Sequence, residues 1–299
     1  MERINYEGWQ DCLRLTNGSM ELVITTAIGP RIIHCGFVCK QNLFGVMEDT
    51  KGLTGGDEWH LYGGHRLWHS PEIKPRTYSP DNSPIEAEED GEWLHLIQPV
   101  EPETGIGKEM QIRLDPSENR VDLVHTLTNH GCWDVELAAW ALTVMAKNGE
   151  MICPQPQGDM DALLPNRWLV LWPYTNMADP RLTWGEQYIR MRQCTDMTRK
   201  CKFGLSNEDG WLAYLVGGDL FVKRFDYEPE AEYPDGGCSV ELFTNNAIME
   251  VETLSPMALL EPGGSITHIE RWYLFDNVAV DETEKSIEKE VFARVSTTE

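Results

Sequence analysis

The chain has no run of apolar residues approaching the roughly eighteen that a membrane-crossing helix needs, so no membrane partner is expected. Its opening residues, MERINYEGWQ, carry charge where a secretory leader would carry an apolar core, and the expected location is therefore the cytoplasm. Cysteine is present at positions 12, 35, 39, 132, 153, 194, 201 and 238, but never as a C-x-x-C pair. These read as reduced thiols, most of them small core residues, and exclude a disulfide framework. Cations are scarce: 25 Lys and Arg stand against 49 Asp and Glu, a formal net charge of −24 that repels nucleic acid and anionic membranes. There is no G-x-S-x-G elbow for a serine nucleophile, and no Gly-rich phosphate loop precedes a helix. Repeats of fixed period and low-complexity tracts are also missing.

What remains is an ordinary globular composition arranged as short apolar, β-branched runs between turn residues. Residues 20–26 and 31–38, joined by Ala27-Ile28-Gly29-Pro30, predict a hairpin, and 42–46 a short third strand. Further strands are expected at 93–98, 108–114, 120–128, 134–145, 211–216, 220–225, 238–244, 247–254 and 265–275. Gly217-Gly218-Asp219 is a strong hairpin signal between two of them. Only 282–295 has helical spacing, with Ile287, Val291, Phe292 and Val295 on one side. About a dozen strands with almost no helix imply an all-β, large antiparallel sandwich. No linker stands out, so 1–299 reads as a single domain with long irregular insertions near 71–91 and 149–186.

The densest chemistry lies in Leu61–Glu72, LYGGHRLWHSPE. Gly63 and Gly64 allow a positive φ or a close approach, and His65, Arg66, Trp68, His69 and Glu72 surround that turn. Such a mixture suits a site that stacks a flat ring, hydrogen-bonds hydroxyls and moves a proton near neutral pH. His60, His65, His69 and Glu72 have spacings zinc can use, but the helical H-x-x-x-H geometry is opposed by Gly63, Gly64 and Pro71, and no metal or other cofactor is expected.

The second informative stretch is Ala247–Pro256, AIMEVETLSP. On a strand, Met249 and Val251 point one way and Glu250 and Glu252 the other, placing two carboxylates about 6.6 Å apart on one face. Burial of such a pair would raise at least one pKa toward that of a general base. Asp235 on a turn and Glu241 on a strand supply further acids, and Arg31 follows the Gly-Pro turn. His125 reads as an ordinary half-buried histidine that remains available to a site.

The order of these features resembles that of the galactose mutarotase-like (aldose 1-epimerase) superfamily, and within it a little-characterised bacterial branch: Gly-Pro-Arg-Ile at 29–32, the Gly-Gly turn with His and Trp, the Asn129-His130-Gly131 turn before a strand, then a Glu strand followed by Leu260-Glu261-Pro262-Gly263. The resemblance runs from about residue 12 to 275 and rests on sequential order rather than on any one motif. It implies a β-supersandwich that binds a small-molecule carbohydrate, free or phosphorylated, with a glutamate as base and a histidine as acid in ring opening. Glu252 matches the family's late-strand glutamate, with Glu250 as substitute, and His65 is the nearest match for the acid. Arg66 or Arg31 would hold hydroxyls or a phosphate.

One departure stands out. Where mutarotases carry a histidine, this chain reads Ala138-Ala139-Trp140-Ala141, so the acid would be His65, His69 or His125, or the fold binds sugar without turning it over. Trp140 in that place suits stacking on a pyranose face. The two readings are a mutarotase-type isomerase and a non-catalytic sugar-binding or sugar-sensing module, the latter using Trp68, Trp140, Arg66 and Glu252. A polysaccharide lyase or hydrolase relative is a third. Oligomeric state is not encoded in any of these features.

Overall fold

A computed structural model describes residues 1–299. Two antiparallel sheets pack face to face. The first runs, in spatial order, through Glu2–Tyr6, Trp9–Thr16, Met20–Thr25, Arg31–Phe37, His65–Ser70, Val135–Met145, Met249–Leu254, Val240–Thr244, Cys201–Leu205 and Leu169–Leu171, with Ala258–Leu260 pairing off the start of the long Val135–Met145 strand. The second runs through Leu182–Trp184, Tyr188–Arg192, Glu150–Pro154, Trp211–Val216, Asp219–Phe225, Ser265–Phe275, Arg120–Asn129, Ile106–Leu114, Trp93–Ile97 and Glu86–Asp90. The expected all-β sandwich is therefore the observed one.

The sheets meet through the apolar half of each alternating strand. Met249, Val251, Val240, Leu242, Cys201 and Phe203 from the first sheet pack with Met110, Val121, Met151, Leu212, Phe221 and Trp272 from the second. Each fully buried aliphatic or aromatic side chain of this kind contributes about 1.5–3 kcal/mol. The terminal segment is helical over 284–295 and packs Ile287, Val291 and Val295 on the outer face of the second sheet, as its spacing predicts. No helix is long and apolar enough to cross a membrane.

Several local expectations change. The amino-terminal strands Glu2–Tyr6 and Trp9–Thr16, and Tyr188–Arg192 later in the chain, have mixed polarity that hides their period, while Cys201–Leu205 alternates but is short and contains Gly204. Residues 42–46 form only isolated bridges at Phe44 and Val46, because Gly45 interrupts the run. The stretches expected to be irregular contain edge strands: Glu86–Asp90 closes one side of the second sheet, and Leu169–Leu171 and Leu182–Trp184 edge the first and second sheets. The four acids of EAEED repel further strand addition at that edge.

Gly63 and Gly64 serve the fold rather than a ligand. Both have positive φ, and a Cβ would fall 2.0 Å from the Gly45 carbonyl oxygen at Gly63 and 2.3 Å from that of Ile32 at Gly64. That close approach lets the Gly64 amide donate to Gly45 O and its carbonyl accept from Val144 N, both at 2.9 Å. The chain enters the His65–Ser70 strand in a fixed register, with Leu142 opposite Arg66 and Trp140 opposite Trp68.

Candidate functional site

Strand alternation decides what that register exposes. In His65–Ser70, Arg66 and Trp68 face outward from the sandwich while His65, Leu67 and His69 face inward. The same rule on the next strands brings Trp140 and Leu142, then Glu250 and Glu252, then Phe243, then Lys202 onto the outer face. Loops carrying Trp59, Leu61, Glu72, Tyr78, Trp172 and Tyr174 wall it in, leaving a cleft of about 360 Å³.

The floor of the cleft is ionic. Arg66 Nη2 lies 3.0 Å from Glu250 Oε1, and its guanidinium stacks 4.5 Å over the Trp68 ring. Lys202 Nζ lies 3.2 Å from Glu252 Oε2 and 2.6 Å from Glu241 Oε2. Trp140 Nε1 donates to Glu252 Oε2 at 2.9 Å, and the Lys202 ammonium sits 4.8 Å from the Trp140 ring and 4.5 Å from that of Trp172. Trp68 meets Trp140 edge-on at 5.5 Å, so aromatic faces and charged hydrogen-bonding groups interleave.

One ammonium serves two carboxylates here, and the electrostatics follow from that shortage. Burial lifts Glu252 to about 7 against the pull of Lys202, and Glu241 rises well above the ordinary carboxylate range for the same reason. Burial also works against the Lys202 ammonium, but Glu252 and Glu241 outweigh it and hold its pKa above the usual lysine value. At neutral pH the trio holds its lysine proton and is poised to take one more on a carboxylate.

The expected residues divide clearly. Arg66, Trp68, Glu72, Trp140, Glu250 and Glu252 come together around the cleft, and Glu241 lies beside Glu252 across the strand pair, contacting Lys202. Glu72 accepts from the Tyr78 hydroxyl at the rim. Asp235 sits at positive φ in the tight Pro234–Gly237 turn and does not line the cleft. Arg31 is fully buried, with Nη1 donating to Gly63 O at 2.7 Å and Nη2 pairing with Asp81 at 2.5 Å; it clamps a loop and does not line the cleft.

The histidines lie away from the cleft. His65, expected as the acid, is fully buried between the sheets on the opposite side of its strand from Glu252, and His125 meets it there from the second sheet. His69 also points inward, to Glu101. No histidine lines the cleft. The physical reason is the period of two: Arg66 and Trp68 reach the outer face only if His65 and His69 do not.

His65, His125 and Glu270 offer three donor atoms within 4.8 Å of one another, the most plausible metal arrangement by composition. Their protons, however, are already assigned. His125 Nδ1 faces the His268 carbonyl at 2.9 Å and must donate, so its Nε2 accepts from His65 Nε2 at 2.7 Å. His65 Nδ1 then accepts from the Thr143 hydroxyl, which accepts from Lys223 Nζ, both at 2.8 Å. Lys223 pairs with Glu270 at 3.0 Å, and Trp272 Nε1 donates to the other carboxylate oxygen at 2.8 Å. Burial drives His65 and His125 well toward the neutral form, while Lys223 and the imidazoles hold Glu270 low although burial opposes it. The internal cation is thus lysine, and the cluster is a closed network beneath the cleft strands.

The residues that sequence reasoning missed include Lys200, Lys202, Trp59, Tyr78, Trp172, Tyr174 and Phe243. Lys202 carries a signal: in CKFGL, Cys201, Phe203 and Leu205 alternate as a core face, leaving Lys202 on the outer face opposite Phe243, from which its ammonium reaches Glu241 and Glu252.

No protein-family profile and no curated protein matches the chain. Solved structures do match in fold. A galactose mutarotase-like protein from Lactobacillus casei aligns over 88% of this chain and 100% of its own at 10% identity, with a TM-score of 0.58. A candidate aldose 1-epimerase from Klebsiella pneumoniae aligns over 99% and 86% at 10% identity and TM-score 0.59. A TPR-domain containing protein from Parabacteroides distasonis aligns over 90% of this chain at 12% identity and TM-score 0.60, and the chain spans about half of it, 48%. At these identities the likeness concerns the fold.

Proposed function

This chain has the galactose mutarotase-like sandwich fold, and we propose that it binds a monosaccharide in the cleft on the outer face of its first sheet. The observation that carries the reading is the Trp140–Glu252–Lys202 constellation: an indole, a carboxylate and an ammonium converge within hydrogen-bond distance in a cleft walled by Trp59, Trp68 and Trp172. A pyranose presents a C–H face to stack on indole and hydroxyls that both donate and accept, and this lining answers both needs. Lining cations (Arg66, Lys200, Lys202) and carboxylates (Glu72, Glu250, Glu252) balance at three each, which favours a neutral sugar over a phosphorylated one.

Turnover is a second reading, favoured by Glu252 standing near 7, where a carboxylate is a competent general base. Glu252 would take the anomeric hydroxyl proton as the C1–O5 bond breaks, and an acid would protonate O5; rotation and reclosure then exchange the anomers. With His65, His69 and His125 outside the cleft, that acid falls to Lys202 or to Tyr174, whose phenol burial raises to about 12. The test is the rate at which dissolved α-glucose and α-galactose reach anomeric equilibrium, followed by NMR. Acceleration lost in Glu252→Gln supports turnover. Saturable binding without acceleration leaves the binding module, and neither result in any sugar removes both readings.

A further inference from the structure

The inward face of the His65–Ser70 strand opens on a separate cavity of about 340 Å³, whose lining includes His69, Arg76, Glu103, Ile106, Val135 and Leu137. His69 is fully buried, and its Nε2 faces Glu101 Oε2 at 3.4 Å. Glu101 also pairs with Lys108 Nζ at 2.5 Å and accepts from the Thr104 hydroxyl at 2.5 Å. Burial pulls the Glu101 carboxyl upward, yet Lys108 and His69 outweigh it and hold it at about 2, so it is ionised and can only accept. His69 Nε2 therefore carries the proton and Nδ1 the lone pair, and burial keeps the ring neutral.

Two capacities among the lining residues are unspent. His69 Nδ1 and Arg76 Nε are buried with no hydrogen-bond partner. Arg76 makes one long contact, Nη2 to Pro71 O at 3.4 Å, and no ion pair; Glu103 on the rim is exposed. Beside this acceptor and this cation, Ile106, Leu137 and Val135 form an apolar wall. A ligand that satisfies all three must donate one hydrogen bond, carry a compact negative charge and present an alkyl group.

We propose that this cavity is a second ligand site, for a small hydroxycarboxylic acid whose hydroxyl donates to His69 Nδ1, whose carboxylate pairs with Arg76 and whose alkyl group packs on Ile106, Val135 and Leu137. The site is independent of the cleft: Glu252 belongs to the other face of the sheet.

The experiment is calorimetric titration of the full chain with 2-hydroxy-3-methylbutanoate, alongside 3-methylbutanoate, which lacks the hydroxyl. The wild type binds the hydroxy acid saturably at one site and the plain acid more weakly. Arg76→Gln, at a partly exposed position that the fold tolerates, weakens the hydroxy acid by at least about tenfold. His69→Phe erases the preference between the two acids, and Glu252→Gln leaves both affinities unchanged. No binding to the wild type, equal affinity in Arg76→Gln, or loss of binding in Glu252→Gln overturns the proposal.

Discussion

Trp140 and Glu252 meet diagonally across adjacent strands, the indole Nε1–H donating to Glu252 Oε2 at 2.9 Å while Lys202 Nζ approaches the same oxygen to 3.2 Å. Both contacts fall on Oε2, which leaves Oε1 as the oxygen that a hydroxyl of the proposed sugar would meet. A tryptophan thus stands where the resemblance implies a histidine, and it orients the glutamate rather than exchanging protons with a substrate.

Replacing that donor separates orientation from stacking. Trp140→Phe retains an aromatic face but removes the N–H, so the carboxylate loses a stabilising partner worth about 1.5–3 kcal/mol. Glu252 then titrates above its present value near 7, and sugar affinity falls several-fold. Carboxyl ¹³C shifts across a pH series and calorimetry with the bound sugar check both parts.

The same group sets a pH dependence. A folded-state pKa of about 7 lies above the ordinary glutamate value, so between roughly pH 4.5 and 7 the folded chain binds more protons than the unfolded one. The Glu252 contribution to stability therefore declines as pH rises through that window and levels off above it, by on the order of 3–4 kcal/mol. Urea denaturation at a series of pH values measures the slope, and Glu252→Gln flattens this component.

Arg66 is the counter-charge of Glu250, with both side chains nearly buried. Arg66→Met leaves that carboxylate unpaired and costs about 3 kcal/mol, whereas Arg66→Met with Glu250→Gln recovers most of the loss. Chemical denaturation of the two variants and the wild type distinguishes a broken pair from lost packing on Trp68.

Beneath the cleft, Lys223 supplies the positive charge to Glu270 within the His65–His125 network. Lys223→Met destabilises the fold by about 3–5 kcal/mol, and adding Glu270→Gln restores part of it. Because lysine occupies the role a metal would take, EDTA leaves the Tm of the wild type unchanged. A large fall in Tm with EDTA contradicts the assignment of the network.

Much of this arrangement was legible in the sequence. Period-two alternation placed Glu250 and Glu252 on one face, and the β-branched runs with their turns marked most of both sheets. The same alternation, applied to His65–Ser70, separates Arg66 and Trp68 from His65 and His69, although all four surround one Gly-Gly turn in the sequence. Trp59, Tyr78, Trp172 and Tyr174 reach the cleft from loops without periodicity, so only long-range packing brings them in. The partner of His65 lies on a strand 60 residues away in the other sheet, and nothing in either local sequence encodes the meeting.

In the proposed function, the cleft recognises a sugar through Trp140 and Glu252. Its most direct test is an indole ¹H–¹⁵N spectrum recorded while α-glucose, α-galactose and other neutral monosaccharides are added to wild type and to Glu252→Gln. The expected result is saturable shifts of the Trp140 indole, with those of Trp68 and Trp172 following, for at least one sugar, and much weaker binding in Glu252→Gln. Indole resonances that stay fixed for every sugar, or shifts that persist undiminished in Glu252→Gln, would contradict it.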